Sequence, residues 1–142
     1  MIRFRIASRE FEPSYMTSAS AGADLKAREE VTLKPGERMK VPTGVWISEV
    51  EWTKVPTGKV PELQIRARSG LAFKHGLTLV NGVGTVDADF PDEICALLVN
   101  IGDKPYTVKK GDRIAQMVLN LTDRLPDLSV GGERVGGFGS TN

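Results

Sequence analysis

Apolar residues recur at every second position in short runs along most of the chain, the period of half-buried strands and not of helices. Ile2, Phe4 and Ile6 alternate with Arg3 and Arg5. Val31 and Leu33 are followed by Met39 and Val41 across the turn residues Pro35 and Gly36, and Val45 and Ile47 supply the next inward pair. Leu63, Ile65 and Ala67 alternate with Glu62, Gln64, Arg66 and Arg68, which predicts a strand with one apolar and one wet or ligand-facing side. Further strands are predicted at Leu77–Leu79, Ile94–Asn100, Tyr106–Val108 and Ile114–Leu121. The run 94–100 barely alternates, which predicts cover on both faces from a second sheet or another subunit. A short helix near Ala72–His75 is too small to organise anything.

Glycine and proline punctuate these runs at the spacing of an all-β sandwich or barrel, and the short connections demand antiparallel pairing. At 142 residues the chain is expected to be one domain. The final segment 131–142, GGERVGGFGSTN, has almost no core-forming residue and taken alone is a flexible tail. A formal charge of +1 gives no reason to expect a nucleic-acid partner. One cysteine and one histidine exclude a disulfide framework and any standard zinc constellation, which suits a reducing compartment. MIRFRIASREFE interrupts its apolar positions with charge and is expected to be a first strand, not a signal peptide. The apolar run Cys95–Val99 is too short to cross a bilayer, so no membrane partner is expected and a cytoplasmic location is.

Five segments combine small and polar residues more densely than a barrel needs: SAGADLKA (20–27), RARSGLAFKHG (66–76), NGVGTVDADFPDEI (81–94), GDRIAQM (111–117) and RVGGFGST (134–141). Neither a Walker loop nor a GxGxxG pattern is present. Arg68, Ser69 and Gly70 place a guanidinium, a hydroxyl and free amides at a strand end, suited to phosphate or, equally, to an edge salt bridge and turn cap. Gly137, Gly139, Ser140 and Thr141 are a second phosphate candidate or simply tail. Asp87 and Asp89 share a side if the chain is extended there, with Val86 and Ala88 on the other. One could activate a water while the other holds backbone or a positive partner; the bland alternative is a turn centred on Pro91 and Asp92. Phe90 and Phe138 offer ring faces, although Phe90 could be core. Asp112 and Arg113 could pair at a hairpin, His75 suits a helix end, and Cys95 suits a small buried hydrophobe.

In order and spacing these five segments closely resemble the five motifs of the trimeric deoxyuridine triphosphatase (dUTPase, dUTP diphosphatase) family. That resemblance implies a jelly-roll-like distorted barrel, a homotrimer with sites shared between subunits, and Mg²⁺-dependent hydrolysis of dUTP to dUMP and pyrophosphate. It places Asp24 near metal-bound waters, with no direct protein ligand to the metal. Arg68, Ser69 and Gly70 become triphosphate contacts, and Asn81, Gly84, Thr85 and Val86 the hairpin whose backbone recognises uracil. Asp87 becomes the water-activating residue, and Phe90 stands at a usual tyrosine position under the deoxyribose. Gln116 becomes a phosphate or water contact. Arg134, Phe138, Gly139, Ser140 and Thr141 become an arm from another subunit that closes over the nucleotide. Three departures stand out: Pro91 and Asp92 replace the common Arg and Gly, Arg134 precedes Phe138 by four residues and not five, and Asn142 stands where Gly is usual.

The competing readings are a dCTP deaminase-like enzyme, which shares the fold, a non-catalytic nucleotide-binding regulator, and a purely structural jelly-roll subunit. The last leaves both phosphate candidates and the Asp87 segment without a task.

Overall fold

The computed structural model describes residues 1–132 and residue 134. Its strands are β1 (Ile2–Ile6), β2 (Ala23–Lys26), β3 (Val31–Leu33), β4 (Arg38–Val50), β5 (Lys59–Arg66), β6 (Leu77–Leu79), β7 (Gly84–Asp87), β8 (Ile94–Asn100), β9 (Tyr106–Val108) and β10 (Arg113–Asp123). Among the described residues one α-helix, α1 (Ser69–His75), and two short 3₁₀ turns, Arg9–Phe11 and Trp52–Lys54, interrupt them. The strands form a sheet ordered β1-β4-β8-β6, a second ordered β2-β10-β5-β7, and a ribbon β3-β9. Every strand pairing is antiparallel. The jelly-roll-like expectation holds, with the sheets not closed into a full barrel.

Leu25, Ile65, Val86 and Met117 from one sheet and Val41, Val45, Ile94 and Leu98 from the other meet in a single apolar cluster, joined by Leu33 and Val108 of the ribbon. Burial alternates along β8 between buried and intermediate positions, so the two-sided cover expected over 94–100 is only partial. Two buried polar side chains are fully employed. The Asn100 amide donates to the carbonyls of Leu33 (2.9 Å) and Lys104 (2.8 Å) and accepts from the Gly102 amide (2.8 Å). Thr43 donates to the Ile94 carbonyl at 2.6 Å. Leaving such groups unpaired would cost about 1–3 kcal/mol each, so these bonds fix how the loops join the sheets.

The chain order misleads in one place. Pro35 and Gly36 do form a turn, with the Glu37 amide on the Lys34 carbonyl at 2.9 Å and Gly36 at φ 85°. Yet β3 and β4 do not pair: β3 takes β9 as partner, and β4 lies between β1 and β8. Alternation determines which side of a strand is buried but says nothing of which strand lies beside it. The pairs around Val41 and Val45 belong to one long strand, bent by a register shift between Pro42 and Val45 where proline lacks a ladder donor.

Candidate active site

The first cluster is built on the sheet β2-β10-β5-β7. Asp24 faces Gln116 across β2 and β10, and Gln116 faces Arg66 across β10 and β5. The Asp24 amide bonds the Ser14 carbonyl at 2.8 Å, and its carboxylate, only 5% exposed as a residue, lies between two guanidinium groups. Arg68 Nε stands 3.4 Å from Oδ1 and an Arg113 terminal nitrogen 3.8 Å from Oδ2. Gln116 donates to the Ala67 carbonyl at 3.0 Å, which ties β10 to the chain just before α1. A Cβ on Gly22 would collide with the Gln116 amide, so glycine at that position leaves the side chain its place.

Helix α1 begins at Ser69, three residues earlier than the sequence suggested, because Arg68 supplies an extended N-cap and its carbonyl accepts the Ala72 amide at 3.1 Å. Arg68, Ser69 and Gly70 therefore sit at a strand-to-helix junction with the guanidinium turned toward Asp24. The helix ends as expected after His75, in Gly76 at φ 68°. A Cβ there would lie 2.5 Å from the Gly102 backbone nitrogen.

The second cluster surrounds the turn after β7. Asn81, Gly84, Thr85, Val86 and Phe90 line a cavity of about 220 Å³ together with Ile65, Leu79, Cys95, Leu97 and Arg134. The four residues of the hairpin named from the sequence and the ring of Phe90 are thus brought together. Phe90 is core and site at once, being 7% exposed with part of its surface on the cavity. Asp87 and Asp89 do share a side, both exposed, while Val86 and Ala88 are buried on the other. They border a neighbouring cavity of about 600 Å³, whose wall includes Glu62, Arg124 and Arg134.

The turn lies earlier than Pro91 and Asp92: the Phe90 amide closes onto the Asp87 carbonyl at 3.0 Å, leaving Ala88 and Asp89 at its centre. The following residues are held by Glu93, which accepts from the Gly44 amide at 2.7 Å and from Arg28 at 3.1 Å. Arg134 donates to Asp87 Oδ2 at 2.6 Å and to Asp89 Oδ1 at 3.3 Å, and its guanidinium carbon stands 5.5 Å from the Phe90 ring centre. The Asp87 hydrogen bond, then the two carboxylate charges, raise the Arg134 pKa beyond its ordinary value. Arg134 thus meets the acid pair of its own chain.

Two side chains play parts that the sequence did not show. Arg113 leaves Asp112, which instead accepts the Lys109 amide at 2.9 Å, and joins the Asp24 cluster. Cys95 is half-buried on the cavity wall and not sealed in the core, with burial and then the Glu93 charge pushing its thiol up to about 11. The arginine could have been found from Asp24, a charge in an otherwise buried strand that demands cationic partners. Phe138, Gly139, Ser140 and Thr141 lie outside the described residues.

Among the described residues no group of three or more His, Cys, Asp or Glu could hold a metal ion. The donor set fits a Mg²⁺ carried by phosphate oxygens and water, since that ion keeps several waters when substrate phosphates bind it. Asp24 Oδ2 is buried with no hydrogen-bond partner among the described residues, an acceptor suited to a metal-bound water.

Comparison with known proteins agrees with this geometry. The sequence model of the dUTPase family matches residues 11–141. A deoxyuridine 5'-triphosphate nucleotidohydrolase of Anaeromyxobacter sp. (strain Fw109-5) is 46% identical over 134 residues, covering 91% of this chain and 86% of that protein. The protein of the same name from Rhizobium meliloti (strain 1021) is 48% identical over 138 residues, covering 91% and 81%. The crystal structure of dUTPase from Streptococcus mutans superposes with a TM-score of 0.70 at 28% identity, covering 91% of this chain and 98% of that one. A family match over residues 11–141, with relatives 46% and 48% identical across 91% of the chain, leaves one conclusion: this chain belongs to the dUTPase family.

Proposed function

We propose that the chain hydrolyses dUTP to dUMP and pyrophosphate, with Asp87 orienting a water and taking its proton as the oxygen attacks the α-phosphorus. The supporting observation is Asp87 standing exposed on the cavity next to the one lined by Asn81, Gly84, Thr85, Val86 and Phe90, with Thr85 and Arg134 lining both. A uracil bound there by backbone groups leaves its sugar against Phe90 and its first phosphate toward Asp87. Pyrophosphate is a good leaving group, so alignment and charge stabilisation suffice without a covalent intermediate. Mg²⁺, when bound with the triphosphate, would offset phosphate charge. Asp24 would hold one of its waters, while Arg68, Ser69, Gly70 and Gln116 would hold phosphate oxygens.

Separation within one chain supports sites shared in a homotrimer. Glu62 of β5 faces Asp87, and Arg68 lies six residues on, two past the end of that strand. Six extended residues span about 20 Å. A water hydrogen-bonded to Asp87 keeps the reacting phosphorus within a few ångströms of that carboxylate. The Asp24–Arg68–Gln116 group then serves best when supplied by a second copy, and residues 134–141 act as a closing arm. Residues 1–142 form one catalytic domain in this reading, with 131–142 as its arm.

Pyrophosphate release from dUTP, UTP, dCTP and dTTP tests the assignment. High kcat/KM for dUTP alone is expected, because cytosine inverts the pairing-edge pattern, the thymine methyl meets the hairpin, and a 2′-hydroxyl meets Phe90. Comparable values for all four would overturn it, as would ammonia release from dCTP, the signature of a deaminase. Tight dUTP binding without turnover would identify a regulator.

A further inference from the structure

Strand β5 presents every second residue to the outer side of its sheet: Leu63 and Ile65 are buried, while Glu62, Gln64 and Arg66 turn outward. Directly opposite Glu62 stand Asp87 of β7 on one side and Asn120 of β10 on the other. Glu62 and Asp87 also line the same cavity of about 600 Å³. Side chains paired in this way have Cβ atoms about 4.5–5.5 Å apart, and two like charges there repel each other. The second acid is nevertheless anchored where it stands. Asn120 donates to Glu62 Oε2 at 3.1 Å, Gln64 donates to the same oxygen at 3.5 Å, and Gln64 accepts from Arg66 at 2.7 Å. Both amides engage one oxygen, whereas a carboxylate accepts through two.

We propose that Glu62 is the second acceptor for the attacking water: Asp87 and Glu62 hold one hydrogen each, so that the oxygen lone pair is aimed at the α-phosphorus. This deepens the function proposed above and rests on it. A pair spaced on this scale leaves room for one water bound to both carboxylates by ordinary hydrogen bonds of about 2.7–2.8 Å. A base acting alone fixes only one hydrogen, and the water still turns about that bond. A second acceptor removes the rotation, which is orientation supplied before the reaction begins. As the water oxygen bonds to the α-phosphorus and pyrophosphate leaves, Asp87 takes one hydrogen as a proton. The other hydrogen keeps its bond to Glu62 and stays on the new phosphate oxygen of dUMP. Asn120 and Gln64 hold Glu62 in position against the repulsion of its neighbour.

Single-turnover hydrolysis of dUTP by the full chain, beside calorimetric titration with the non-hydrolysable analogue α,β-imido-dUTP, tests this by a double-mutant cycle. Glu62→Gln keeps the shape, but its one oxygen is claimed by the Asn120 amide and its NH₂ cannot accept from water. The single-turnover rate should fall roughly tenfold, the scale of one hydrogen bond to a charged group, with analogue affinity and melting temperature unchanged. In an Asp87→Asn background the same substitution should alter the rate less than about twofold, because both side chains act on one water. An undiminished rate in Glu62→Gln, beside a large loss in Asp87→Asn, would overturn the inference and leave the proposed function standing. Equal losses in both backgrounds, or weaker analogue binding at an unchanged rate, would also overturn it, since Glu62 would then act apart from the water. A full rate in Asp87→Asn, or no turnover by the unaltered chain, would overturn both.

Discussion

The two charged clusters of this chain are constructed in opposite ways. Asp24 lies in a strand, buried, with its register set by Gln116 and Arg66 and its charge met by Arg68 and Arg113. Asp87 and Asp89 stand exposed beside a tight turn, and the cation that meets them comes from near the end of the chain. A carboxylate within a sheet is held by the fold itself, and here two arginines from the same region meet its charge. A carboxylate on a turn retains access to solvent, which a water-activating group needs, and depends on a remote residue for its partner. In the proposed function this contrast separates holding the phosphates from performing the reaction.

That separation can be broken by substitution. Asp87→Asn should lower kcat by about 10²-fold or more while leaving affinity for the imido analogue within a few-fold, as removal of a general base requires. Steady-state kinetics beside calorimetry measures both quantities, and an unaltered kcat would place the base elsewhere. Asp24→Asn should do the reverse in kind, costing about 1–2 kcal/mol of stability because two guanidinium groups lose their buried counter-charge, discounted for their partial exposure. Urea unfolding reads that loss, and the same substitution should weaken nucleotide binding. At Gly76, where φ is 68° and a Cβ would meet the Gly102 backbone, alanine should cost about 1–3 kcal/mol. Since Arg68 caps the start of α1, this loss should reach phosphate affinity before it reaches the base cavity.

The smallest expected effect lies far from either cluster. Glu51 accepts from the Met1 ammonium at 3.1 Å, which with Lys54 and Arg3 lowers its pKa from 4.5 to about 2. A lowered folded-state pKa stabilises the protein above the unfolded value, and that contribution disappears as pH falls from about 4.5 toward 2. Thermal melts across that range should show a shallower acid loss for Glu51→Gln, with activity near neutral pH unaffected. An identical acid profile in the variant would show that the ion pair does not couple to folding.

Much of the strand pattern was legible because burial imposes a period of two: β1, β6 and β9 lie where the sequence put them, whereas β5 starts and ends earlier than the alternating run 62–68. Pairing partners were not, because nothing local distinguishes a hairpin at Pro35–Gly36 from strands that diverge into different sheets. The short strand β2 was hidden inside a segment dense in small residues, and the start of α1 depended on Arg68 as an extended cap. In the site, the common side of Asp87 and Asp89 followed from the pleat. Arg113 did not, since its partner Asp24 is 89 residues away in sequence and the adjacent Asp112 offered a simpler pairing. Nor did the position of Arg134, which is set by charge meeting charge across the fold.

The most direct measurement of the central claim is the fate of the water oxygen during one round of dUTP turnover in ¹⁸O-enriched water. Attack on the α-phosphorus beside Asp87 predicts one label in dUMP and none in pyrophosphate by mass spectrometry. Label in pyrophosphate, with unlabelled dUMP, would place the attack at the β-phosphorus and contradict the role assigned to Asp87.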